Sequence, residues 1–380
     1  MLVWLGLCAV AAFLAALAAA FGAVPMGEQA GFAVLLAPTL HLIFALGALP
    51  LIFGAIGHFV PVLTKSRAAG PVIHHLPLVV QAAGLIVPLA LLGYLPQWSL
   101  HLAATVDAAA ALLMFFWVSR RLRGTLGAPH PGAHWYGAAL LCLFFAVSLV
   151  PVWLAMPESR PALRLFHLHL NTLGFIGLAA LGTLPVLLPT ALREPEPTAA
   201  MRLRTDLVPA LAGTLLVAAG AATGFWLAVP GALLLAWVIG RDLFAWGRAY
   251  GRKVGAGETA PLSIATVGLL LLLLAGLAHG AGWMPARAAL TAYVALFLLP
   301  LVTGALAQLL PVWRFPGAGT PARQTMQRRL AGGGRLRAAL FFSAGLAFLF
   351  DAPFAVLPAA LALADFALRI GRAFYNPRQS

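Results

Sequence analysis

Three histidines lie within long apolar stretches of the sequence, where an ionisable side chain is costly and usually faces the interior of a helical bundle. His41 lies about two turns into the second predicted membrane span, and His167 and His169 lie about one to two turns into the sixth. Neutral imidazole is the commonest protein ligand for heme iron and also binds copper. The three histidines therefore predict a heme or copper site, although a single histidine in such a span is more often a hydrogen-bonded packing residue.

The spacing of the two histidines in the sixth span limits what they can bind together. His167 and His169 are separated by one residue. Successive residues of an α-helix turn by about 100°, so these side chains point about 200° apart. A regular helix cannot easily direct both of them at one ion, and we expect the two histidines to serve two neighbouring sites.

The composition identifies the kind of protein that must position these residues. Of 380 residues, 62% are hydrophobic and 9% are charged, against about 45–50% and about 25% in soluble domains. This excludes a soluble or disordered chain and predicts an integral membrane protein. The net charge of +14 does not indicate nucleic acid, because the cations fall between apolar stretches. Cys8 and Cys142 lie in separate stretches, which excludes a disulfide scaffold or a thiolate zinc site.

Hydropathy predicts an all-α polytopic membrane protein with twelve transmembrane helices, because a span needs about 20 mostly apolar residues. The predicted spans lie near residues 2–23, 33–63, 75–95, 98–118, 135–156, 163–190, 206–225, 227–246, 261–282, 286–312, 337–350 and 352–370. Of the 24 Lys and Arg residues, all but Arg160, Arg164 and Arg287 lie in the even-numbered gaps, their flanking helix ends or the C-terminal tail. This bias predicts an inner-membrane protein of a bacterium with both termini in the cytoplasm.

A threefold internal repeat underlies the twelve spans. Three segments align without gaps, starting at His41, His169 and Thr291, with offsets of 128 and 122 residues. Each segment ends in Gly-x6-Pro, at Gly54/Pro61, Gly182/Pro189 and Gly304/Pro311. The alternative interpretation is convergent packing chemistry, with small residues at close helix contacts. We expect one transmembrane domain over residues 1–380, built from three pseudo-symmetric four-helix repeats near residues 1–130, 131–257 and 258–380.

The repeat also predicts which histidines work together. The alignment makes His41 equivalent to His169, so symmetry directs these two side chains into different spaces between repeats. His167 points about 200° around the helix from His169. The pair expected to converge is therefore His41 with His167, whereas His169 is expected to face Thr291 and Tyr293.

In its predicted spans, repeats and histidines, the chain resembles subunit I of the heme-copper oxidase superfamily, which has twelve helices in three arcs and a histidine in helix 2. The stretch from Pro50 to Gly57, followed by Pro61, is similar to the helix 2 segment of those oxidases. The NnrS family, which comprises heme- and copper-containing membrane proteins linked to nitric oxide, is also similar, in His41, Gly54 and Pro61. The resemblance implies heme, alone or with copper, held toward the periplasmic side by a set drawn from His41, His167 and His169. It implies redox or nitric-oxide chemistry as the role.

The chain departs from the oxidases at several positions. The tenth span has Thr291 and Tyr293 but no histidine, and the seventh span has no histidine pair. The sixth span lacks Glu and the eighth lacks Lys, so neither usual proton route is evident. If the protein is an enzyme, we expect an oxidoreductase but not a proton-pumping oxygen reductase. Two carboxylates lie deep in spans: Asp365, with Arg369 one turn away as a structural partner, and Asp107, for which the sequence offers no partner.

Two other classes of function remain open on the sequence alone. Twelve helices with internal repeats are equally typical of membrane transporters. Spans 2, 6 and 10 would then be moving elements, and the histidines would bind a substrate or metal in transit. The third class is an assembly factor that hands heme or copper to an oxidase. The expected surroundings are the lipid bilayer, the further partners are an electron donor or a small gas ligand, and nucleic acid is not expected.

Overall fold

The computed structural model describes residues 1–23, 30–317, 319–352 and 354–375. The chain is 85% helical, and these residues contain no β-strand. Helices suit this sequence because a chain in lipid must satisfy its backbone N–H and C=O groups internally. The all-α prediction is confirmed.

Sixteen α-helices follow one another along the described chain, three of the connections between them being π-helical. The first eight are α1 (Leu2–Ala23), α2 (Ala30–His41), α3 (Leu49–Leu63), α4 (Pro71–Leu91), α5 (Ser99–Arg123), α6 (Gly132–Ala155), α7 (Arg160–His169) and α8 (Leu178–Leu192). The last eight are α9 (Ala199–Thr223), α10 (Phe225–Tyr250), α11 (Ala260–Gly280), α12 (Ala286–Tyr293), α13 (Leu299–Arg314), α14 (Pro321–Ala331), α15 (Gly334–Leu349) and α16 (Val356–Tyr375).

Ten helical segments among the described residues are long and apolar enough to cross a membrane, and they coincide with the first ten predicted spans. The chain is therefore a multi-pass membrane protein. The last two predicted spans correspond to α15 and α16. Helix α15 has 16 residues, which gives about 24 Å, less than the hydrocarbon thickness of about 30 Å. Helix α16 has 20 residues but carries Asp365, Arg369 and Arg372.

Three of the long helices change to π-helical geometry partway along their length, which the sequence did not predict. The segments are π1 (Leu42–Ala48), π2 (Leu170–Gly177) and π3 (Val294–Leu298). In the gapless alignment, all three cover the positions equivalent to residues 44–48. A π-turn bonds residue i to i+5 rather than i+4, and such turns are frequent at functional sites.

The helices form two compact units. The first, called the histidine unit below, comprises residues 7–183 and 198–235. Within it, Gly84 of α4 lies so close to π1 that a Cβ atom there would stand 2.2 Å from the carbonyl oxygen of Ala45. A Cβ at Gly174 of π2 would stand 2.7 Å from the Cβ of Cys142 in α6. Both π segments are thus packed by glycine against a neighbouring helix, as small residues pack membrane helices.

The second unit, called the C-terminal unit, comprises residues 1–6, 184–197 and 236–380. A Cβ at Gly268 of α11 would lie 2.2 Å from the carbonyl oxygen of Leu296 in π3, so the third π segment is also packed by glycine.

The predicted ion pair in the last helix is confirmed. Arg369 Nε donates to Asp365 Oδ2 over 2.8 Å. A second cation that the sequence did not indicate, Arg337 of α15, lies 3.6 Å from the same oxygen and is 1% exposed. Its guanidinium also donates to the carbonyl oxygens of Leu330 and Gly332. Arg337 therefore holds the end of α14 against α15 and α16.

Candidate functional site

His41 and His167 come from two different helices of the histidine unit. His41 is the last residue of α2, directly before π1, and its Nδ1 lies 2.8 Å from the carbonyl oxygen of Ala37 in the same helix. His167 lies in α7, and its Nδ1 lies 2.8 Å from the carbonyl oxygen of Ala146 in α6. Both imidazoles are half-buried. His41 is thus oriented by its own helix, whereas His167 is oriented by a neighbouring one.

The hydrogen bonds decide which ring nitrogen of each histidine can bind a metal. A carbonyl oxygen only accepts, so each Nδ1 must be the protonated donor. In a neutral imidazole, Nε2 then carries the lone pair. Histidines that bind metals almost always donate the other ring N–H to a carbonyl, a carboxylate or water. His41 and His167 both have this arrangement, because the Nδ1–H group of each donates to a backbone carbonyl oxygen.

The two imidazoles lie near one another. His41 is within electrostatic range of His167, and the guanidinium of Arg164 is within range of both. Arg164 and His167 are three residues apart on α7, and residues at this spacing share a helix face. His41, His167 and Arg164 are therefore all within electrostatic range of one another, and they are called the histidine cluster below.

An aromatic ring contacts the cluster from α6. The indole of Trp153 packs nearly perpendicular to the imidazole of His167, with 5.1 Å between ring centroids and 87° between planes. With the bond to Ala146, this contact places α6 on one side of His167 and limits its rotation. A fixed ring orientation is what a metal ligand requires.

His169 does not form a group of three metal-binding side chains with His41 and His167. Its Nδ1 lies 2.8 Å from the carbonyl oxygen of Leu165, one turn earlier in α7. Across the part of the chain that the structure describes, no three His, Cys, Asp or Glu side chains converge on a position that could hold a metal ion. Helix α7 is regular through His169, so the angular separation of about 200° from His167 applies.

Two residues of this site were not recognised from the sequence. In the sequence, Arg164 was noted only as one of the three cations that lie outside the even-numbered gaps. The spacing Arg164-x-x-His167 could have indicated that the two residues share a helix face. Trp153 could not be recognised from the sequence, because it contacts His167 from a different helix. The arrangement places two imidazoles, one from α2 and one from α7, within electrostatic range of the exposed guanidinium of Arg164.

Comparison with known proteins assigns the chain to no family: it matches no protein-family model, and no curated protein is significantly similar to it.

Proposed function

We propose that this chain is a heme-binding membrane protein in which His41 and His167 are the two axial ligands of one heme. The observation that carries this proposal is the pair of imidazoles from α2 and α7, within electrostatic range and each donating Nδ1–H to a backbone carbonyl. Two Nε2 lone pairs from separate helices suit the two axial positions of heme iron, whose other four ligands come from the porphyrin.

The number of ligands favours heme over a bare metal ion. A structural zinc site takes four protein ligands and a blue-copper site takes three strong ones. The described residues contain no such group of three. A heme site needs only one or two side chains from the protein, which is what the histidine cluster supplies. Copper, the second cofactor of the resembling families, would need His169 and ligands beyond this cluster.

Arg164 is suited to bind the propionate groups of the same heme. Heme carries two propionate carboxylates, and guanidinium binds carboxylate through paired charge-assisted hydrogen bonds. Arg164 lies near both imidazoles, three residues before His167 in α7. We propose that it binds a propionate and so fixes the orientation of the macrocycle. Heme bound this way supplies one-electron exchange, and the role that we propose is redox chemistry linked to nitric oxide or respiration.

The finer architecture belongs to the same proposal. We infer twelve transmembrane helices in three four-helix repeats, with α15 and α16 completing the third. The three π segments at equivalent alignment positions support this arrangement, since unrelated helices have no reason to share the place of a rare turn. The distribution of cations supports cytoplasmic termini in a bacterial inner membrane.

We predict the topology of three loops from that distribution. In a chain lacking cysteine through Cys8→Ala and Cys142→Ala, Glu158→Cys should react with an impermeant maleimide in intact cells. Ala128→Cys and Glu258→Cys should react only after the membrane is permeabilised. The three sites are exposed, so a difference in labelling reports the side of the membrane. Labelling of Glu258→Cys from outside would contradict the helix count and the repeats together.

The transporter interpretation is the second candidate, and the π segments favour it. Transporters interrupt the regular α-helical geometry of the helices that surround the substrate. The π segments also depart from that geometry, and π1 and π2 directly follow His41 and His169. A metal or heme flux in proteoliposomes, abolished by His41→Ala, would support this candidate or that of an assembly factor. Heme that remains bound in stoichiometric amount through purification would support the leading proposal.

We predict a visible absorption spectrum as the direct test of the leading proposal. Protein purified from cells supplied with excess heme should show a Soret band that shifts on reduction, with the sharp visible bands of six-coordinate low-spin iron. One heme per chain is expected from the pyridine hemochrome assay. A colourless preparation of folded protein would overturn the proposal.

A further inference from the structure

Asp107 is a buried carboxylate in α5 that the proposed heme site does not use. Its side chain is 5% exposed, and Oδ1 is buried with no hydrogen-bond partner. It lies eight residues after Ser99 and 16 residues before Arg123, about 12 Å and about 24 Å from the two ends of the helix. The carboxyl group is therefore well inside the apolar part of the span.

The surroundings of Asp107 on its own helix supply no donor. The residues one turn before and after it are Ala103, Ala104, Ala110 and Ala111, all of which are buried. A polar group buried without a partner is unfavourable, and an ionised one far more so.

Helices α3, α4 and α6 pack against α5. The titratable residues of these four helices are His58, His74, His75, His134, Tyr136, Cys142, His101, Arg120, Arg121, Arg123 and Asp107 itself. Among the described contacts, none of them forms a hydrogen bond or an ion pair with Asp107. Tyr136, for example, bonds to Thr183 over 2.9 Å. Asp107 thus differs from Asp365, whose charge is balanced by two arginines.

Packing gives no reason for a carboxyl group at this position, since an apolar side chain of similar size would avoid the cost of burying a polar group without a partner. Residues that break a local rule without structural compensation are found at functional sites, and ionisable groups within membrane spans commonly bind ions or relay protons. With no cation to balance a carboxylate, the ligand that removes its charge is a proton.

We propose that Asp107 is a proton-binding residue inside the membrane. The carboxyl group holds one proton as a neutral acid at neutral pH. On release, the O–H bond breaks, the electron pair stays on the carboxylate, and the proton passes to water at the Ser99 end, which is the nearer one. Ser99, Ala103 and Asp107 follow one another at four-residue spacing and so share a face of α5. This proposal is independent of heme binding, because no hydrogen bond or ion pair among the described residues joins Asp107 to the histidine cluster.

Infrared spectroscopy of the full chain in lipid bilayers tests the proposal. The expected result is a C=O stretching band of a protonated carboxylic acid at neutral pH, which shifts in D2O and is absent in Asp107→Asn. The control is Asp351→Asn, because Asp351 is exposed and paired with Arg287, so this variant should keep the band. Reversible loss of the band at alkaline pH is expected for a group that exchanges its proton.

Two results would overturn the proposal. A wild-type spectrum without the band shows an ionised carboxylate, and a band that neither shifts in D2O nor titrates shows a sealed acid. If Asp107→Asn does not fold, aspartate labelled with carbon-13 shows whether the band belongs to an aspartate, and loss of the response to this label in Asp107→Glu assigns it to position 107. Asp107→Glu should then retain a protonated-acid band at a changed position.

Discussion

Replacing His41 or His167 by alanine is expected to remove one axial ligand and weaken heme binding by at least about 100-fold. The lower bound follows because even the outer partners of metal ligands contribute about 10–100-fold to affinity. Each variant should either lose heme during purification or show a five-coordinate high-spin spectrum. Addition of imidazole to the buffer should restore the six-coordinate spectrum, because the small molecule fills the place of the missing side chain.

The matched control is His169→Ala, because His169 lies two residues from His167 on the same helix. His169 donates within its own helix to Leu165 and points about 200° away from His167. This variant should keep the six-coordinate spectrum and disturb only a second metal, where one is present. The reverse pattern, in which His169→Ala loses the heme and His167→Ala keeps it, would show that the wrong pair has been assigned.

Gly84→Leu is expected to destabilise the protein strongly, because Gly84 is where α4 packs against π1. Even one carbon at this position would stand 2.2 Å from the carbonyl oxygen of Ala45, which is backbone and cannot rotate away. Overpacking costs about 1–3 kcal/mol, occasionally more, and we expect the upper end of this range. Because π1 begins directly after His41, displacing it from α4 should also lower the heme content.

The control for this substitution is Gly57→Leu in α3, where an added Cβ meets no atom within 4 Å. Thermal unfolding of both variants, followed in the same detergent, should give a clearly lower midpoint for Gly84→Leu alone. Equal midpoints would mean that α4 does not approach π1 as closely as the structure has it.

The ten spans could be predicted from sequence because hydropathy is a local property that needs no knowledge of neighbours. The ion pair between Asp365 and Arg369 could be predicted for a similar reason, as its members are four residues apart on one helix. The pairing of His41 with His167 was predicted from the internal repeat and the angular step of a helix, and it stays a prediction. The structure shows only that the two imidazoles are within electrostatic range of each other.

Other features could not be predicted because they depend on contacts between distant parts of the chain. Arg337 reaches Asp365 across 28 positions of sequence, and Trp153 reaches His167 from another helix. The π segments also have no local signature. Each is accompanied by a glycine at which two helices approach closely, so their geometry depends on packing as much as on their own residues.

The shared position of π1, π2 and π3 has a consequence for the history of the chain. A π-turn contains one residue more than an α-turn, so a helix that gains one residue can absorb it in such a turn and keep the register of the helix on either side. If the three repeats descend from one four-helix ancestor, a gain shared by all three copies occurred before the first duplication. The ancestral unit would then have carried the irregular turn, and deleting one residue from a single π segment should return that segment to regular α-helical geometry.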